Sequence, residues 1–269
     1  KDNFYALDGF PNESIFDFGA NMKTRRERAE NGTLVLNGGG GEIYRNFFYL
    51  PDRPYSVDQL LNIFYSRYAK GFCTVEFAEK EYRSNLKRKI KHALQLKNDL
   101  MSRSELEYAY PAFRLRYWTS KDNSNNTRLG SFLTPFLCYE TISKTLNIPL
   151  KYKTHGVFQG DLINKVSPAL ASYPSDYGYR FDQPVPFKTK IKNNLTIYRP
   201  SFLRKHSYSI QHKMASLNLP ATLDSEYLDP IFKKGTPYMG QFLKIDEIKD
   251  SALLGRALTL EYLFQHLNL

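Results

Sequence analysis

The segment at residues 79–100 constrains the fold most, because it carries a single apolar stripe at helical spacing. Leu86, Ile90 and Leu94 recur every fourth residue, which places them on one face of an α-helix. Much of the remaining surface is basic, with Lys or Arg at positions 83, 87, 88, 89 and 91. A helix with one narrow apolar stripe must pack that stripe against another element. The basic side is either a solvated face or an anion-binding surface.

The rest of the chain mixes strand-like and helix-like patterns. Short segments rich in aromatic or β-branched residues predict strands at 3–7, 71–77, 108–118 and 195–198. Helical spacing predicts further helices at 56–68, 132–146 and 246–269. The glycine run at 37–41 and the polar run at 122–127 predict loops, and the Pro-rich and Tyr-rich stretch at 167–200 predicts irregular, extended structure. Because strands and helices do not alternate regularly, the sequence predicts an α+β fold with mixed or antiparallel sheets and flanking helices.

Composition and charge narrow the classes of partner. Hydrophobic residues make up 42% and charged residues 24%, which is ordinary for a chain with a folded core. The formal net charge of +11 attracts polyanions, which include nucleic acid, acidic membrane faces and anionic cofactors. The sequence contains no apolar run of about 18 residues, so we expect no transmembrane segment.

The cysteines and histidines predict no metal site. Cys73 and Cys138 either form one disulfide, as in a secreted protein, or are both free thiols. The five histidines are scattered, and no Cys or His pair has the spacing of metal ligands. The chain begins at Lys1 without a methionine, which indicates either a cleaved targeting segment or a truncated chain.

The opening of the chain carries a series of residues in a characteristic order: Tyr5, Asp8, Pro11, Glu13, Ile15, Phe16 and Gly19. In this order they resemble the first strand and following turn of the pertussis-toxin-like mono-ADP-ribosyltransferases. The order of predicted elements is also similar, with 71–75 where that family has a Ser-Thr-rich strand, a helix from residue 79, and a strand like 108–117. Tyr139-Glu140 and Ile148-Pro149 resemble the family's helical segment in which a catalytic glutamate precedes Ile-Pro. The resemblance covers roughly the first 160 residues.

The resemblance implies an ADP-ribosyltransferase-like fold with a C-terminal helical extension, NAD as the cofactor and a protein as the acceptor of ADP-ribose. Glu140 would be the catalytic carboxylate, which stabilises an oxocarbenium-like transition state as nicotinamide leaves. Thr74 would be the hydroxyl that orients this glutamate and the strand that binds NAD. Tyr5 would flank the position of the phosphates.

Two departures from the family pattern lie in the implied NAD site, which would include Tyr5, Ala6, Asp8 and Cys73. Ala6 stands where the family places the arginine that holds the pyrophosphate by bidentate hydrogen bonds. Cys73 stands where the family has a serine. The resemblance therefore implies a transferase that is inactive as it stands.

The alternative interpretation is a non-enzymatic protein that binds nucleic acid, such as a component of a mitochondrial ribosome. Its basis is a set of basic residues interleaved with aromatic ones: Arg114, Arg116, Tyr117, Trp118, Lys188, Lys190, Lys192, Tyr198, Arg199, Phe202, Arg204 and Lys205. Basic side chains neutralise phosphates while aromatic rings stack on unpaired bases. RNA or an acidic protein would then be the partner.

Domain organisation and localisation follow from the same two interpretations. The resemblance predicts a transferase-like domain at residues 1–170. Residues 171–269 would form an irregular segment and a C-terminal helix, either separate or part of the same domain. A transferase of this type would be secreted or delivered into a host cell, and the alternative would be mitochondrial.

Overall fold

The structure is a computed structural model that describes residues 14–16, 20–66, 68, 70–215 and 218–267. Tyr5, Ala6, Asp8 and the strand predicted at 3–7 lie outside the described residues. The fold is α+β, about 61% helical and only 5% strand. This small strand content does not confirm an ADP-ribosyltransferase-like fold.

Helices form most of the described chain. In order they are α1 (Ala20–Ala29), α2 (Val57–Phe64), α3 (Glu79–Leu94), α4 (Arg103–Ala109), α5 (Ser120–Asn126), α6 (Tyr139–Leu146), α7 (Leu150–Lys153), α8 (Val157–Val166), α9 (Pro168–Ala171), α10 (Phe187–Ile197), α11 (Ser201–Met214), α12 (Ser225–Leu228) and α13 (Ser251–Leu267). A π-helical segment, Tyr110–Thr119, joins α4 to α5. Short 3₁₀ turns complete the connections, among them Gly41–Tyr44 and Ile245–Glu247.

The described strands form two small sheets. β1 (Val35–Leu36) pairs in parallel with β4 (Phe132–Leu133), so that Val35 lies opposite Phe132. β2 (Tyr55–Ser56) pairs antiparallel with β3 (Leu100–Met101), so that Tyr55 lies opposite Met101. One described pair is parallel and the other antiparallel, and each described sheet has only two strands, so the predicted larger mixed or antiparallel sheets are not found among the described residues.

The first core gathers buried residues of α2, α3, α4 and the π-helical segment around the turn at residues 43–50. Its buried members are Ile43, Phe48, Leu50, Tyr55, Val57, Leu60, Leu61, Ile90, Leu94, Met101, Leu106, Ala109, Tyr110, Phe113 and Leu115. Two of these helices begin at capping boxes, in which Ser56 pairs with Gln59 and Ser102 with Glu105. Each box satisfies two backbone N–H groups that a helix start leaves open, and so fixes where the helix begins.

The second core joins the early described residues to the end of the chain. Ile15, Phe16 and Phe72 pack with six buried residues from 223–262, of which Leu254, Leu258 and Tyr262 lie on α13. Polar contacts tie the same elements: the Ser14 hydroxyl donates to the Gly255 carbonyl at 3.1 Å, and the Ile15 N–H donates to the Thr259 hydroxyl at 3.1 Å.

Residues beyond position 170 also pack on the earlier part of the chain. Helix α11 packs against α2. Its buried Arg204 donates to the carbonyl of Phe48 at 2.9 Å and to that of Tyr49. Arg204 is therefore engaged by backbone carbonyls and is not part of a basic surface, contrary to the sequence interpretation.

Several predicted helices are found, with shifted ends. The helix predicted at 79–100 is α3, which ends at Leu94, where Gln95 adopts a left-handed conformation with a φ of 53°. The helix predicted at 56–68 is α2, and the one predicted at 246–269 is α13. The helix predicted at 132–146 is only α6, because β4 and a 3₁₀ turn, Pro135–Leu137, come first. The glycine run at 37–41 is a turn, as predicted.

The strand predicted at 108–118 is wrong, since this segment is helical. Leu106, Ala109, Tyr110 and Phe113 are buried and follow the i, i+3, i+4, i+7 spacing of a helix that begins before the predicted strand. The loop predicted at 122–127 is wrong as well, because α5 continues the same helical run.

The strands predicted at 71–77 and 195–198 are also wrong. The first segment forms turns and makes one isolated antiparallel bridge, between Cys73 and Leu243. The second lies at the end of α10, which places a regular helix inside the stretch predicted to be irregular. Within the described residues, no helix is long and apolar enough to cross a membrane.

Candidate anion-binding cleft

The sequence-predicted site residues occupy two different parts of the fold. Cys73 and Thr74 lie between α2 and α3, where the Thr74 N–H donates to the Phe242 carbonyl at 3.0 Å. Glu140 lies in the first turn of α6, a helix that packs on α4 and on the Gly41–Tyr44 turn. Its side chain is 80% exposed, and its carboxylate lies 3.5 Å from the Lys144 ammonium. The structure brings Cys73 and Thr74 together, and it places Glu140 on a helix of the first core.

The two cysteines are free thiols in different environments. Cys73 is half-buried, and burial is the main cause that raises the pKa of its thiol. Cys138 is exposed, and its hydrogen bond with the Thr141 hydroxyl, at 2.7 Å, lowers the pKa of its thiol. Among the described residues, no group of three or more His, Cys, Asp or Glu side chains is arranged to hold a metal ion.

A cleft of about 690 Å³ lies between α11, the connection after α2 and the segment before α13. We call it the lysine cleft. Helix α11 contributes Lys205, His206, Ser209, His212 and Lys213. The spacing of these residues, three, four, seven and eight apart, places them on one side of the helix. Lys70, Lys249 and two acidic residues, Asp246 and Glu247, complete the charged lining.

Three of the four lysines of this cleft form no ion pair with a described acidic residue, although Lys70 is close enough to Glu79 to help lower its pKa and the Lys249 ammonium donates to the Ala215 carbonyl at 3.1 Å. Lys205 forms an ion pair with Glu79 at 2.7 Å, and Glu247 is engaged by Lys244 at 3.3 Å. In the part of the chain that the structure describes, Lys70, Lys213 and Lys249 form no ion pair. Unpaired cations that converge on one concave surface raise the local concentration of anions.

The ion pair of Glu79 with Lys205 is part of a hydrogen-bonded group at the edge of the cleft. The Tyr68 hydroxyl donates to the same Glu79 oxygen at 2.8 Å. The hydrogen bond from Lys205 is the main cause that lowers the pKa of Glu79. Burial and the hydrogen bond to Glu79 raise the pKa of Tyr68 to about 12. The carboxylate therefore stays ionised and fixes both neighbours at neutral pH.

The floor of the lysine cleft is aromatic and rigid. Phe72 is buried, and the His212 ring packs edge-on against it with the ring centroids 5.0 Å apart. The backbone N–H of Lys249 donates to Nε2 of His212 at 2.9 Å. His212 therefore holds the segment before α13 against α11.

A cluster of three aromatic rings borders the cleft on its other side. Tyr68, Phe77 and Tyr82 pack with centroid distances of 5.3, 5.6 and 5.7 Å. A smaller cavity of about 220 Å³ lies beside them and shares Tyr68 and Lys70 with the lysine cleft. Cys73 and Thr74 line this smaller cavity. Glu79 and Phe77 also line the smaller cavity, so an acidic side chain lies beside the rings there.

The sequence around α10 and α11 carries charge of one sign. Between residues 183 and 223 there are seven Lys or Arg residues and no Asp or Glu. The sequence signal for the cleft was this acid-free run together with the helical spacing of Lys205, Ser209 and His212. Lys70 and Lys249 had no such signal, because they reach the cleft only through the tertiary packing.

A second cavity, of about 440 Å³, which we call the aromatic cavity, has five aromatic residues among its fourteen lining residues. Tyr44 and Phe158 stack in parallel there, with centroids 5.2 Å apart. Glu42 lines this cavity, accepts a hydrogen bond from Tyr110 at 2.7 Å and lies 3.5 Å from Arg45. Its polar groups are thus largely engaged with one another, in contrast to those of the lysine cleft.

A buried ion cluster lies behind the aromatic cavity. The Lys153 ammonium is 2.5 Å from one Glu107 oxygen, and Arg103 is 3.2 Å from the other. Lys153 is 1% exposed, Glu107 13% and Arg103 11%, so the three charges are largely removed from water. Arg103 also donates to the Asn46 side chain at 2.9 Å. The cluster joins α4 to α7 within the protein interior.

Comparison with models of known protein families, with curated proteins and with solved structures finds no match to this chain.

Proposed function

We propose that the protein binds single-stranded nucleic acid, with the phosphate backbone in the lysine cleft. The observation that carries this proposal is the convergence of Lys70, Lys213 and Lys249, which form no ion pair within the described residues, on one cleft beside a ring cluster. Lysines neutralise the phosphates of a single strand, and aromatic rings stack on its bases whatever their identity. The net charge of +11 adds long-range attraction for the same ligand.

The lysine cleft and the smaller cavity share Lys70 and Tyr68. Lys70 lies where the lysine cleft meets the smaller cavity, so a strand whose phosphates enter the cleft passes directly beside the Tyr68 ring. The rings of Phe77 and Tyr82 extend the surface on which successive bases stack. The proposal requires no catalytic group, since affinity comes from charge neutralisation and stacking alone.

The test is fluorescence anisotropy of a short labelled oligo-uridylate titrated with the protein at increasing salt. Three lysine–phosphate contacts on a single strand give a slope of log affinity against log salt of about −2. The variant Lys70→Gln/Lys213→Gln/Lys249→Gln is expected to lose most of this slope and to bind at least roughly tenfold more weakly at low salt.

The matched control is Lys144→Gln/Lys165→Gln/Lys233→Gln, which removes the same net charge from exposed positions that do not line the cleft. We expect it to keep the salt slope of the unaltered protein. Absence of binding at low salt, or an equal loss in both triple variants, would contradict the proposal.

The transferase prediction is tested independently by ligand-observed NMR with NAD. It requires NAD binding, hydrolysis of NAD after Ala6→Arg, and loss of that hydrolysis after Glu140→Ala. Binding of oligo-uridylate without any NAD signal in either form would favour the nucleic-acid proposal over the transferase.

A further inference from the structure

Helix α10 has one face against the protein and an apolar ridge on the opposite face. Ile197 is buried, and Asn193 contacts the His155 ring at 3.2 Å, so these residues mark the inner face. We call Phe187, Ile191, Leu195 and Tyr198 the outer ridge. Their side chains are 76%, 44%, 71% and 71% exposed.

The geometry of the helix explains why these four residues form one continuous ridge. Residues three and four apart in a helix lie on the same side, and the outer ridge has spacings of four, four and three. A helix of eleven residues extends about 16 Å, so the ridge is a narrow apolar strip of that order of length. Its large side chains protrude into solvent, and an exposed apolar strip of this kind marks a binding surface.

The ridge is flanked by positive charge on both sides. Lys188 and Lys192 follow it along one side of the helix and Lys190 along the other, and all three are exposed. The helix itself contains no acidic residue, and neither does the sequence from 183 to 223. An occupant of the ridge must therefore accept apolar side chains at its centre and bear negative charge at its border.

This charge pattern argues against a second copy of the chain as the occupant. A symmetric contact between two ridges would bring six lysines together, and like charges at such a distance repel. A lipid surface with anionic headgroups has the required chemistry, because its acyl layer accepts apolar side chains while its phosphates lie at the level of the lysines. Lysine stems reach upward along an apolar surface and keep their ammonium groups in the headgroup layer.

We propose that α10 docks the protein on an anionic lipid surface, with the outer ridge inserted between the headgroups and Lys188, Lys190 and Lys192 against the lipid phosphates. The helix lies in the plane of the membrane, as amphipathic interfacial helices do, and does not span it. The docking uses a face of the molecule separate from the lysine cleft, so it is independent of the proposed binding of nucleic acid.

The test is co-sedimentation of the full chain with vesicles of phosphatidylcholine alone and with vesicles that also contain phosphatidylserine. We expect binding to the anionic vesicles and little to the neutral ones. The variant Phe187→Ser/Leu195→Ser is expected to weaken this binding at least roughly tenfold, because it removes the inserted groups. Replacement of the three flanking lysines by glutamine is expected to weaken it about fivefold per lysine.

The matched control is Val75→Ser/Tyr139→Ser, which removes two apolar side chains that are 97% and 84% exposed outside α10. It is expected to bind like the unaltered protein. Thermal unfolding followed by circular dichroism checks that every variant is folded, and the outward position of the ridge predicts unchanged midpoints.

Three results would overturn the inference. They are absence of binding to the anionic vesicles, equal binding by the ridge variant and the control, and a dimer in analytical ultracentrifugation that the ridge variant abolishes. The last result would assign the ridge to a second copy of the chain.

Discussion

The buried ion cluster makes the strongest prediction about stability. Glu107 contacts both Lys153, at 2.5 Å, and Arg103, at 3.2 Å. The substitution Glu107→Gln keeps the size of the side chain and one hydrogen-bond acceptor, but it removes the negative charge. Two cations then remain in the interior, and burial already lowers the pKa of Arg103.

The expected loss of stability in Glu107→Gln follows from the burial of Lys153 and Arg103. Removal of one member of a buried pair costs about 3–5 kcal/mol, because the remaining charge is left uncompensated away from water. For a chain of this size that loss lowers the melting temperature by roughly 6–20 °C. The assay is thermal unfolding followed by circular dichroism at neutral pH, with the fluorescence of Trp118 as a second probe.

Two further variants test whether the loss of stability comes from leaving buried charges uncompensated. Glu140→Gln breaks an ion pair whose side chains are 77% and 80% exposed, so we expect a change of less than about 2 °C. The triple variant Arg103→Met/Glu107→Leu/Lys153→Met removes all three buried charges together and should recover much of the loss. Removal of a surface ion pair is expected to shift the melting temperature by less than about 2 °C. The reasoning would be refuted if the melting temperature of Glu107→Gln lay within about 2 °C of that of the Glu140→Gln control.

The remaining predictions concern the cleft, a turn and a thiol. The hydrogen bond from Lys205 lowers the pKa of Glu79, so this carboxylate contributes stability that is lost as pH falls through its folded pKa. When the pH is lowered from 6 to 3, the melting temperature of Lys205→Met should therefore fall less steeply than that of the unaltered protein. Gly40→Ala should destabilise the protein by about 1–3 kcal/mol, as measured by urea unfolding, since φ is +91° and a Cβ would lie 2.5 Å from Leu137. Cys138 should be alkylated by iodoacetamide faster than the other cysteine, as measured by peptide mass spectrometry, because its thiol is exposed and its pKa is lowered.

The sequence predicted the helices whose apolar spacing lies within one window. Leu86, Ile90 and Leu94 do pack into or against the first core, as the stripe in 79–100 required. The strand predicted at 108–118 failed because the window began after Leu106, the first buried residue of its helix. A short run of aromatic residues is typical both of a strand and of the buried side of a helix, so the sequence pattern alone does not distinguish the two.

The polar run at 122–127 shows how tertiary contacts override local preference. Asn125 and Asn126 are poor helix formers, yet both are buried in α5. Arg25 donates to Asp122 at 3.0 Å and to Asn126 at 3.1 Å, which holds this helix from a distant part of the chain. Such contacts are not visible in a local pattern.

The lysine cleft could be predicted only in part. The basic and aromatic residues near position 205 were identified, but Arg204 is buried while its neighbour Lys205 faces the cleft. Lys70 and Lys249 lie far apart in sequence, and nothing local indicates that they share a surface. Composition therefore predicted an affinity for anions without locating it.

The second core has a consequence for the order in which the chain folds. Its early members, Ile15, Phe16 and Phe72, pack with residues of α13, which lies much later in the chain. The first core uses buried residues only from positions 43–115, so it can condense while the ribosome is still adding residues. We expect a chain truncated before residue 251 to retain the first core but to bind more of a hydrophobic dye than the full chain does. Until α13 has been synthesised, these early apolar side chains would depend on chaperones to shield them.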